Sequence, residues 1–568
     1  ELQNRVDALY LTPLFGLNLE QISGFLQQAQ VQGLPVFSSE GYYQVERGAF
    51  ASNSGYTTTG AALYHARKTI KILQGARPQE LPTVFREGRR LSINLQACRD
   101  HHIVTPEHFL ADARVLEPPV DPGAPVYTIA SALAEAKRLN PGALADQESA
   151  SAARSRVAEV RAAYYPQLNA GAYLRGYDRD PPVNALRRYT EGSSGFDVTL
   201  TQKIFDYPLL KRMTAAASQA DLAESEWQSS RIEFDYTVSE LYLTLVLALS
   251  RRDALDEYRE RIHRGLQGAL ALYQMEDLER VELLRWESKK EEASEALIAA
   301  RGEISELEVE FLAALGRPFR EEFTVDRGLY ALTEFKWAGP ENPVLGGVGA
   351  RGAAEEFWVA EALRVRPESA GIAASLTAKE AELSAARAWY WPSLSAEAGY
   401  FKDNQFETGA PLTVDEDGWF VGARLSAALF DGAQSLKRSA RLRTEVSELE
   451  YRRDQNSLAI AAVARRAFTR LASSYDRTLF AWRSQKMAAD ALEALFGEYE
   501  RSRLNYSEVS EALDRALESE LDALGASYGY FLALMDLWRV TGYGYVEENS
   551  ALQRDLYDRL RAFVAAQR

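Results

Sequence analysis

The chain has 568 residues, carries a formal net charge of −16 and contains one cysteine, Cys98. The acidic balance excludes the basic surface that nucleic-acid binding requires, and a single cysteine excludes an intrachain disulfide. Its longest apolar stretch, 241–249, is well short of the roughly 18 residues of a membrane-spanning helix, so the sequence does not predict a helical membrane protein.

Residues 1–115 alternate short apolar runs with amphipathic ones. The runs that read as strands are 8–11, 35–37 and 91–95, and those that read as helices are 18–30 and 60–73. This alternation predicts an α/β layer with a parallel sheet. The chain opens at Glu1 without a targeting segment, and we expect further residues upstream of it.

A proline-rich linker at 116–126 follows. Its composition predicts a semi-rigid spacer that would hold the N-terminal part at a distance from the rest. Two helical runs, near 129–163 and 355–388, each lead into a region where apolar residues alternate with polar ones. The last segment, 546–568, predicts one more amphipathic helix.

Two long β-hairpins are predicted, because apolar and polar residues alternate with a period of two. The first has strands at about 167–177 and 195–205, and the second has strands at about 393–402 and 419–430. A polar loop containing proline and glycine joins the strands of each pair. Strands of about ten residues suit a tilted crossing of a bilayer.

A long amphipathic helix follows each hairpin, at about 207–273 and 435–503. The returning helices, at about 278–315 and 507–540, carry the many charged residues that are typical of the exposed faces of packed coiled coils. At 1.5 Å per residue, each long helix would measure roughly 100 Å. These segments predict an elongated helical structure attached to the hairpins.

The two units of hairpin and helix are copies of one another. The segment Arg-Ala-Ala-Tyr-Tyr-Pro-Gln-Leu at 161–168 returns as Arg-Ala-Trp-Tyr-Trp-Pro-Ser-Leu at 387–394. So long a period indicates a duplicated domain half and not a solenoid array. We therefore divide the chain after the linker into a first repeat at 127–320, a link at 321–354 and a second repeat at 355–545.

Four strands cannot close a barrel, and open strand edges are not tolerated in lipid. The hairpins therefore predict a β-barrel that other copies of the chain complete. Five aromatic residues mark the points where the hairpins begin and fit an interfacial aromatic girdle. They are Tyr164, Tyr165, Trp389, Tyr390 and Trp391. An ordinary packed core between helix and strand is the alternative for this cluster.

The order of motifs in each repeat resembles the TolC family of outer-membrane efflux proteins. A helix leads to Tyr-Pro-Gln-Leu at 165–168 or to Trp-Pro-Ser-Leu at 391–394, and a hairpin follows. Ile-Phe-Asp at 204–206 or Leu-Phe-Asp at 429–431 then opens the long helix. The resemblance extends from about residue 127 to about residue 543.

This resemblance implies a mixed fold, in which a long α-helical coiled-coil tunnel continues a β-barrel contributed by two hairpins per chain. It implies a homotrimer in the outer membrane, in contact with outer-membrane lipid and with its tunnel in the periplasm. Such proteins are not enzymes and use no cofactor. They export small molecules or proteins together with a periplasmic adaptor and an inner-membrane pump.

The resemblance places the tunnel tip at the two turns between long helices, which are rich in carboxylates. The candidate tip residues are Glu276, Asp277, Glu282, Glu508, Glu511 and Asp514. Carboxylates that face a narrow lumen would attract cations, and the alternative is a solvated surface at charged helix ends. The family's tip pattern is a glycine, then an acidic residue and a leucine. It falls on Glu282 with Leu284 and on Glu511 with Leu513, but neither copy has the glycine.

The N-terminal part resembles the later portion of ABC-transporter substrate-binding proteins. The residues that carry this resemblance are Gly-Ala-Phe-Ala-Ser at 48–52, Tyr56, Gly60, Ile-Leu-Gln-Gly at 72–75, Leu81, Pro82 and Ile-Asn-Leu at 93–95. It implies a partial periplasmic-binding-protein lobe of α/β fold, appended in the periplasm as a ligand-binding-like module. No metal site is predicted in it.

A second hypothesis remains open for the whole chain. It is a soluble periplasmic binding module fused to a coiled-coil scaffold, which explains the N-terminal part and the long helices. It leaves the repeated alternating hairpins without an explanation. An enzyme on the α/β part has no support beyond the fold class.

Overall fold

A computed structural model describes residues 6–14, 16–54, 58–85, 90–116, 123–176, 190–327, 348–407, 414–500, 506–546 and 550–567. In these ranges the chain forms an N-terminal α/β lobe, a four-stranded sheet and a bundle of long helices. No helix among them is both long enough and apolar enough to cross a membrane. Much of both predicted hairpin loops and most of the link at 321–354 lie outside the described residues.

The N-terminal lobe is a five-stranded sheet with helices between its strands. Its elements are β1 Leu9–Leu11, α1 Leu19–Val31, β2 Val36–Ser38, α2 Tyr42–Val45, β3 Ala51–Ser52, α3 Thr58–Leu73, β4 Ser92–Asn94, α4 Leu95–Asp100, α5 Glu107–Asp112 and β5 Arg114–Leu116. The strands follow the order β1-β2-β3-β4-β5. The sheet is mixed and not parallel as predicted, because the chain enters β4 antiparallel to β3 after α3.

Each helical run before a hairpin is a pair of helices, because a proline interrupts it. The first run forms α6 Ile129–Leu139 and α7 Pro141–Ala162, and the second forms α10 Val348–Val365 and α11 Pro367–Arg387. Proline lacks the amide hydrogen that a helix interior needs and suits a first helical position, so a new helix begins at each proline. Asn140 caps α7 by accepting a hydrogen bond from the amide of Gly142 at 2.8 Å.

The two hairpins form one antiparallel sheet. Its strands are β7 Gln167–Gly176, β8 Thr190–Phe205, β10 Ser393–Glu407 and β11 Val414–Ser426, in the order β11-β10-β8-β7. The pairing of β8 with β10 joins the two repeats, and β7 and β11 are the outer strands of the described sheet. A short parallel pair, β6 Val126–Tyr127 with β9 Thr324–Val325, ties the start of the first repeat to its end.

The register of the sheet places apolar side chains of all four strands on one face. Leu200 of β8 pairs with Leu168 of β7 and with Ala398 of β10, and Ala398 pairs with Val421 of β11. Residues two apart along a strand share a face, so the alternation seen in the sequence gives the sheet one apolar side. On this side Leu168, Val421 and Leu425 are each more than two-thirds exposed in the single chain.

Two helices, α8 Tyr207–Gln274 and α12 Gln434–Glu500, lead away from the sheet, and α9 Arg280–Leu315 and α13 Tyr506–Thr541 return beside them from the far end. These four are the long helices of the bundle. With 68 residues, α8 is about 100 Å long. Asp206 sets its start by accepting a hydrogen bond from the amide of Leu209 at 3.0 Å. Helix α8 packs against α9 and α12 packs against α13, and α8 also contacts α13.

The main hydrophobic core lies where the middle of α8 and α12 meets the C-terminal ends of α9 and α13, and α6, α10 and the C-terminal helix α14 Ala551–Ala566 pack against them there. A buried carboxylate, Glu361 of α10, ties α14 to this core by pairing with Arg559 at 2.8 Å. Burial opposes the ionisation of Glu361, but hydrogen bonds from Arg364, Tyr543 and Arg559 outweigh it and hold its pKa at about 2.

Candidate functional site

The tip is the end of the helical bundle opposite the sheet, where α8 turns into α9 and α12 meets α13. A hydrophobic cluster of its own closes this end. Its largest side chain is the fully buried Trp286, whose Nε1 donates to the hydroxyl of Tyr499 at 2.9 Å. The Trp286 ring lies 5.1 Å from that of Tyr506. One packed cluster therefore joins the tips of both repeats.

A polar contact fastens three of the long helices to one another beside this cluster. Asp514 of α13 accepts hydrogen bonds from Tyr258 of α8 at 2.6 Å and from Lys289 of α9 at 2.7 Å. Burial raises the pKa of Tyr258, and its hydrogen bond to the Asp514 carboxylate raises it further. The phenol therefore stays protonated and acts as the donor. Asp514, predicted as a lumen carboxylate, is placed at a junction between helices.

The other predicted carboxylates of the second repeat lie on the first turns of α13. Glu508 and Glu511 are exposed, and Glu511 pairs with Arg515 of the next turn at 2.9 Å. Acidic side chains near a helix N-terminus are also favoured by the helix dipole. The structure therefore brings these carboxylates together at the tip.

The predicted carboxylates of the first repeat surround the turn between α8 and α9. Glu276 lies in this turn with a left-handed φ of 59°, Asp277 follows it, and Glu282 is in the first turn of α9. The two leucines that were matched by sequence are not equivalent. Leu513 is buried in the tip cluster, whereas Leu284 is half exposed and its neighbour Leu283 takes the buried position.

The N-terminal lobe packs against the first repeat close to this turn. Helix α3 lies on α8, where Tyr64 shares a buried cluster with Ala271 and Met275. Lys71, in the last turn of α3, donates to the backbone carbonyl of Met275 and pairs with Asp277 at 2.8 Å. Asp277 thus binds the lobe.

The contact between lobe and tunnel continues away from the tip. Arg90 of the lobe pairs with Glu260 of α8, and Arg259 of α8 donates to the carbonyl of Ala113 in the lobe at 2.8 Å. The lobe lies directly on the long helices, so the prediction that the linker holds it at a distance is wrong. Residues 117–122 of that linker lie outside the described residues.

His263 of α8 is buried next to this contact. Burial, and after it the positive charge of Arg90 from the lobe, lowers the pKa of His263 to about 4. Lys290 of α9 and Arg259 act in the same direction, while Glu260 opposes them. The imidazole is therefore neutral near pH 7.

The five predicted aromatic residues lie where α7 and α11 give way to β7 and β10. Tyr165, Tyr390 and Trp391 are exposed, whereas Tyr164 and Trp389 are partly buried. The Trp391 ring of the second repeat contacts Tyr207 of the first at 4.7 Å between ring centres. The cluster is thus an exposed belt and also a contact between repeats.

The residues that hold the lobe, chiefly Tyr64, Lys71 and Arg90, were not predicted from the sequence. A partial signal exists, since α3 carries the basic run Arg67, Lys68 and Lys71 while the turn after α8 is acidic. Complementary charge alone does not indicate which segments meet, because such runs are usually solvated.

Comparison with known proteins supports the architecture described above. In solved structures, the chain is similar to the outer-membrane channel CmeC of Campylobacter jejuni, with a TM-score of 0.60 at 14% identity over 76% of this chain and 89% of CmeC. It is also similar to the open state of the MtrE channel of Neisseria gonorrhoeae, with a TM-score of 0.58 at 14% identity over 73% of this chain and 89% of MtrE. The chain has the fold of the TolC-type outer-membrane channels.

Sequence comparison agrees with this channel fold. The chain is 25% identical to the outer membrane protein OprJ of Pseudomonas aeruginosa over 424 residues, which cover 70% of this chain and 80% of OprJ. Residues 2–116 match a different family, described as ABC transporter substrate binding protein. Both predicted resemblances and the predicted outer-membrane localisation are confirmed. The channel fold is thus joined in one chain to a lobe that is similar to a different family.

Proposed function

We propose that the chain is one protomer of a trimeric outer-membrane duct. It would export small molecules or proteins that a periplasmic adaptor and an inner-membrane pump deliver, and it would carry out no chemistry itself. The observation that supports this proposal most directly is the duplicated unit of hairpin and long helix, folded as in solved outer-membrane channels.

The sheet supports the need for partner copies. Its outer strands β7 and β11 carry unpaired edges within the described sheet, and its apolar face is exposed. Since neighbouring strands alternate in direction, β7 of one copy and β11 of the next would meet antiparallel. Three copies joined in this way would form one closed barrel with its apolar face toward lipid.

The test is membrane fractionation of the protein, followed by single-particle imaging in detergent. We expect a threefold particle with a barrel at one end and a tunnel of about 100 Å, the length of α8. A soluble monomer would contradict the duct. It would favour the alternative, a soluble periplasmic module fused to a coiled-coil scaffold. That alternative accounts for the lobe and the long helices.

The exposed carboxylates of the tip are proposed to make the duct cation-selective. Replacing Glu508 and Glu511 by glutamine should lower the permeability ratio of K⁺ to Cl⁻ about twofold or more in planar-bilayer recordings, because less negative charge surrounds the narrow end. Glu450, exposed on α12 far from the tip, gives the matched control when it is replaced by glutamine. Equal ratios in the double variant and the wild type would rule the proposal out.

A further inference from the structure

The two repeats differ in what covers the helix that leads into the tip. A stripe of buried residues, spaced by four, runs along α8 to its C-cap: Arg259, His263, Gln267, Ala271 and Met275. Residues with this spacing share one helix face. The face that packs into the tip cluster is a different one and includes Ile262 and Ala269. Helix α8 is therefore buried on two faces near the tip.

Helix α12 is buried on one face over the comparable stretch. Between residues 480 and 499, its buried residues are Leu492 and Tyr499, and both belong to the tip cluster. The second buried face is thus particular to α8. The lobe accounts for it, since Tyr64 and Leu63 cover Ala271 and Met275 while Arg90 approaches Glu260.

The lobe also holds the end of α8 itself. The last carbonyls of a helix lack partners within the helix, and a positive charge is favourable beside them. Lys71 of the lobe satisfies the carbonyl of the C-cap residue Met275 and at the same time pairs with Asp277 in the turn. A second charged contact, between Lys290 of α9 and Asp112 of α5, fixes the other helix of the hairpin to the lobe.

We propose that this surface is a built-in clamp, in which the chain's own N-terminal lobe occupies the α8–α9 flank of the tunnel tip and restrains the turn between these helices. The inference rests on the proposed duct function. In such a duct, an external helical partner can reach this flank only after the lobe has left. The turn can move freely only when Lys71 releases Met275 and Asp277.

The test reverses the charge that holds the turn. In Lys71→Glu the new carboxylate faces Asp277 and repels it. We therefore expect the equilibrium constant for docking of the lobe to fall about fivefold. Docking is measured as the yield of a short bis-maleimide crosslink between cysteines introduced at Leu63 and Gly268. A Cβ at Gly268 would lie 3.9 Å from the Leu63 side chain. The restraint is measured on the intact protein as the frequency of channel openings in planar bilayers.

We expect Lys71→Glu to lower the crosslink yield and to raise the opening frequency several-fold, and adding Asp277→Lys should restore both in part. Lys71→Gln should show the same changes in weaker form. The matched control is Arg99→Glu, which breaks an exposed ion pair between the lobe and Glu322 at the other end of α9 and should leave opening unchanged.

Three results would overturn the clamp. The first is a failure of the wild-type pair to crosslink, which would mean that the lobe does not dock. The second is a released lobe with unchanged opening. The third is the absence of current from the wild type and from Lys71→Glu alike, which would overturn the duct itself and the clamp with it, while the crosslink would still report docking.

Discussion

Replacing Trp286 by alanine is expected to lower the free energy of unfolding by about 3–5 kcal/mol, because it removes a fully buried aromatic ring and leaves a cavity in the tip cluster. The ring is also a hydrogen-bond donor, and its loss leaves the buried hydroxyl of Tyr499 without this donor. The measurement is the shift of the denaturation midpoint of the purified protein.

Two further variants separate packing from hydrogen bonding at this position. Trp286→Phe keeps an aromatic ring but loses the Nε1 donor, so about 1–2 kcal/mol should be lost. Gly265→Ala adds a methyl group 2.3 Å from the Trp286 ring and should cost about 1–3 kcal/mol through overpacking. An ordinary surface substitution changes the free energy of unfolding by less than about 1 kcal/mol. If Trp286→Ala has no larger effect than that, this cluster does not stabilise the tip.

Acidification is expected to lower the free energy of unfolding through His263, which is buried beside the contact between lobe and tunnel. Its pKa is about 4 in the folded protein against 6.5 ordinarily, so the unfolded chain binds the proton more tightly. The stabilisation is therefore complete above about pH 6.5 and is lost as the pH falls toward 4, by about 3 kcal/mol in total. The measurement is the denaturation midpoint at intervals between pH 7.5 and 4.5, over about this window.

His263→Gln is the matched control, because glutamine is polar and neutral throughout this window. The difference in stability between wild type and variant should shrink steadily from about pH 6.5 downward. Glu260 does not produce the same effect, since the positive charges of Arg90 and Arg259 outweigh burial and lower its pKa, moving its titration below that of an ordinary carboxylate. A pH-independent difference would show that His263 is not buried in solution.

The hairpins and long helices could be predicted because their patterns are local. Alternation with a period of two sets which face of a strand is apolar, and the pairing of Leu200 with Leu168 and Ala398 follows the same alternation across three strands. The start of α8 also depends on adjacent residues, since Asp206 caps the helix and Pro208 lies in its first turn. The breaks before Pro141 and Pro367 obey an equally local rule and could have been predicted.

The contacts of the lobe could not be predicted in this way. Lys71 and Asp277 are far apart in sequence, and each belongs to a charged segment that would be equally stable in water. Asp514 shows the same limit, since its distance to Lys289 depends on how α9 and α13 are packed. The composition of a helix predicts that it has a polar face. Which polar residues are enclosed depends on the tertiary arrangement.

The two free edges of the sheet have a genetic consequence. In the proposed ring every protomer joins one neighbour through β7 and the other through β11. A chain with a defective edge therefore prevents closure of any ring that contains it. If normal and defective chains are made in equal amounts, about one ring in eight contains normal chains alone. Substitutions that block pairing along β7 or β11 should therefore be dominant over the wild-type allele, whereas those that unfold the whole chain before assembly should be recessive.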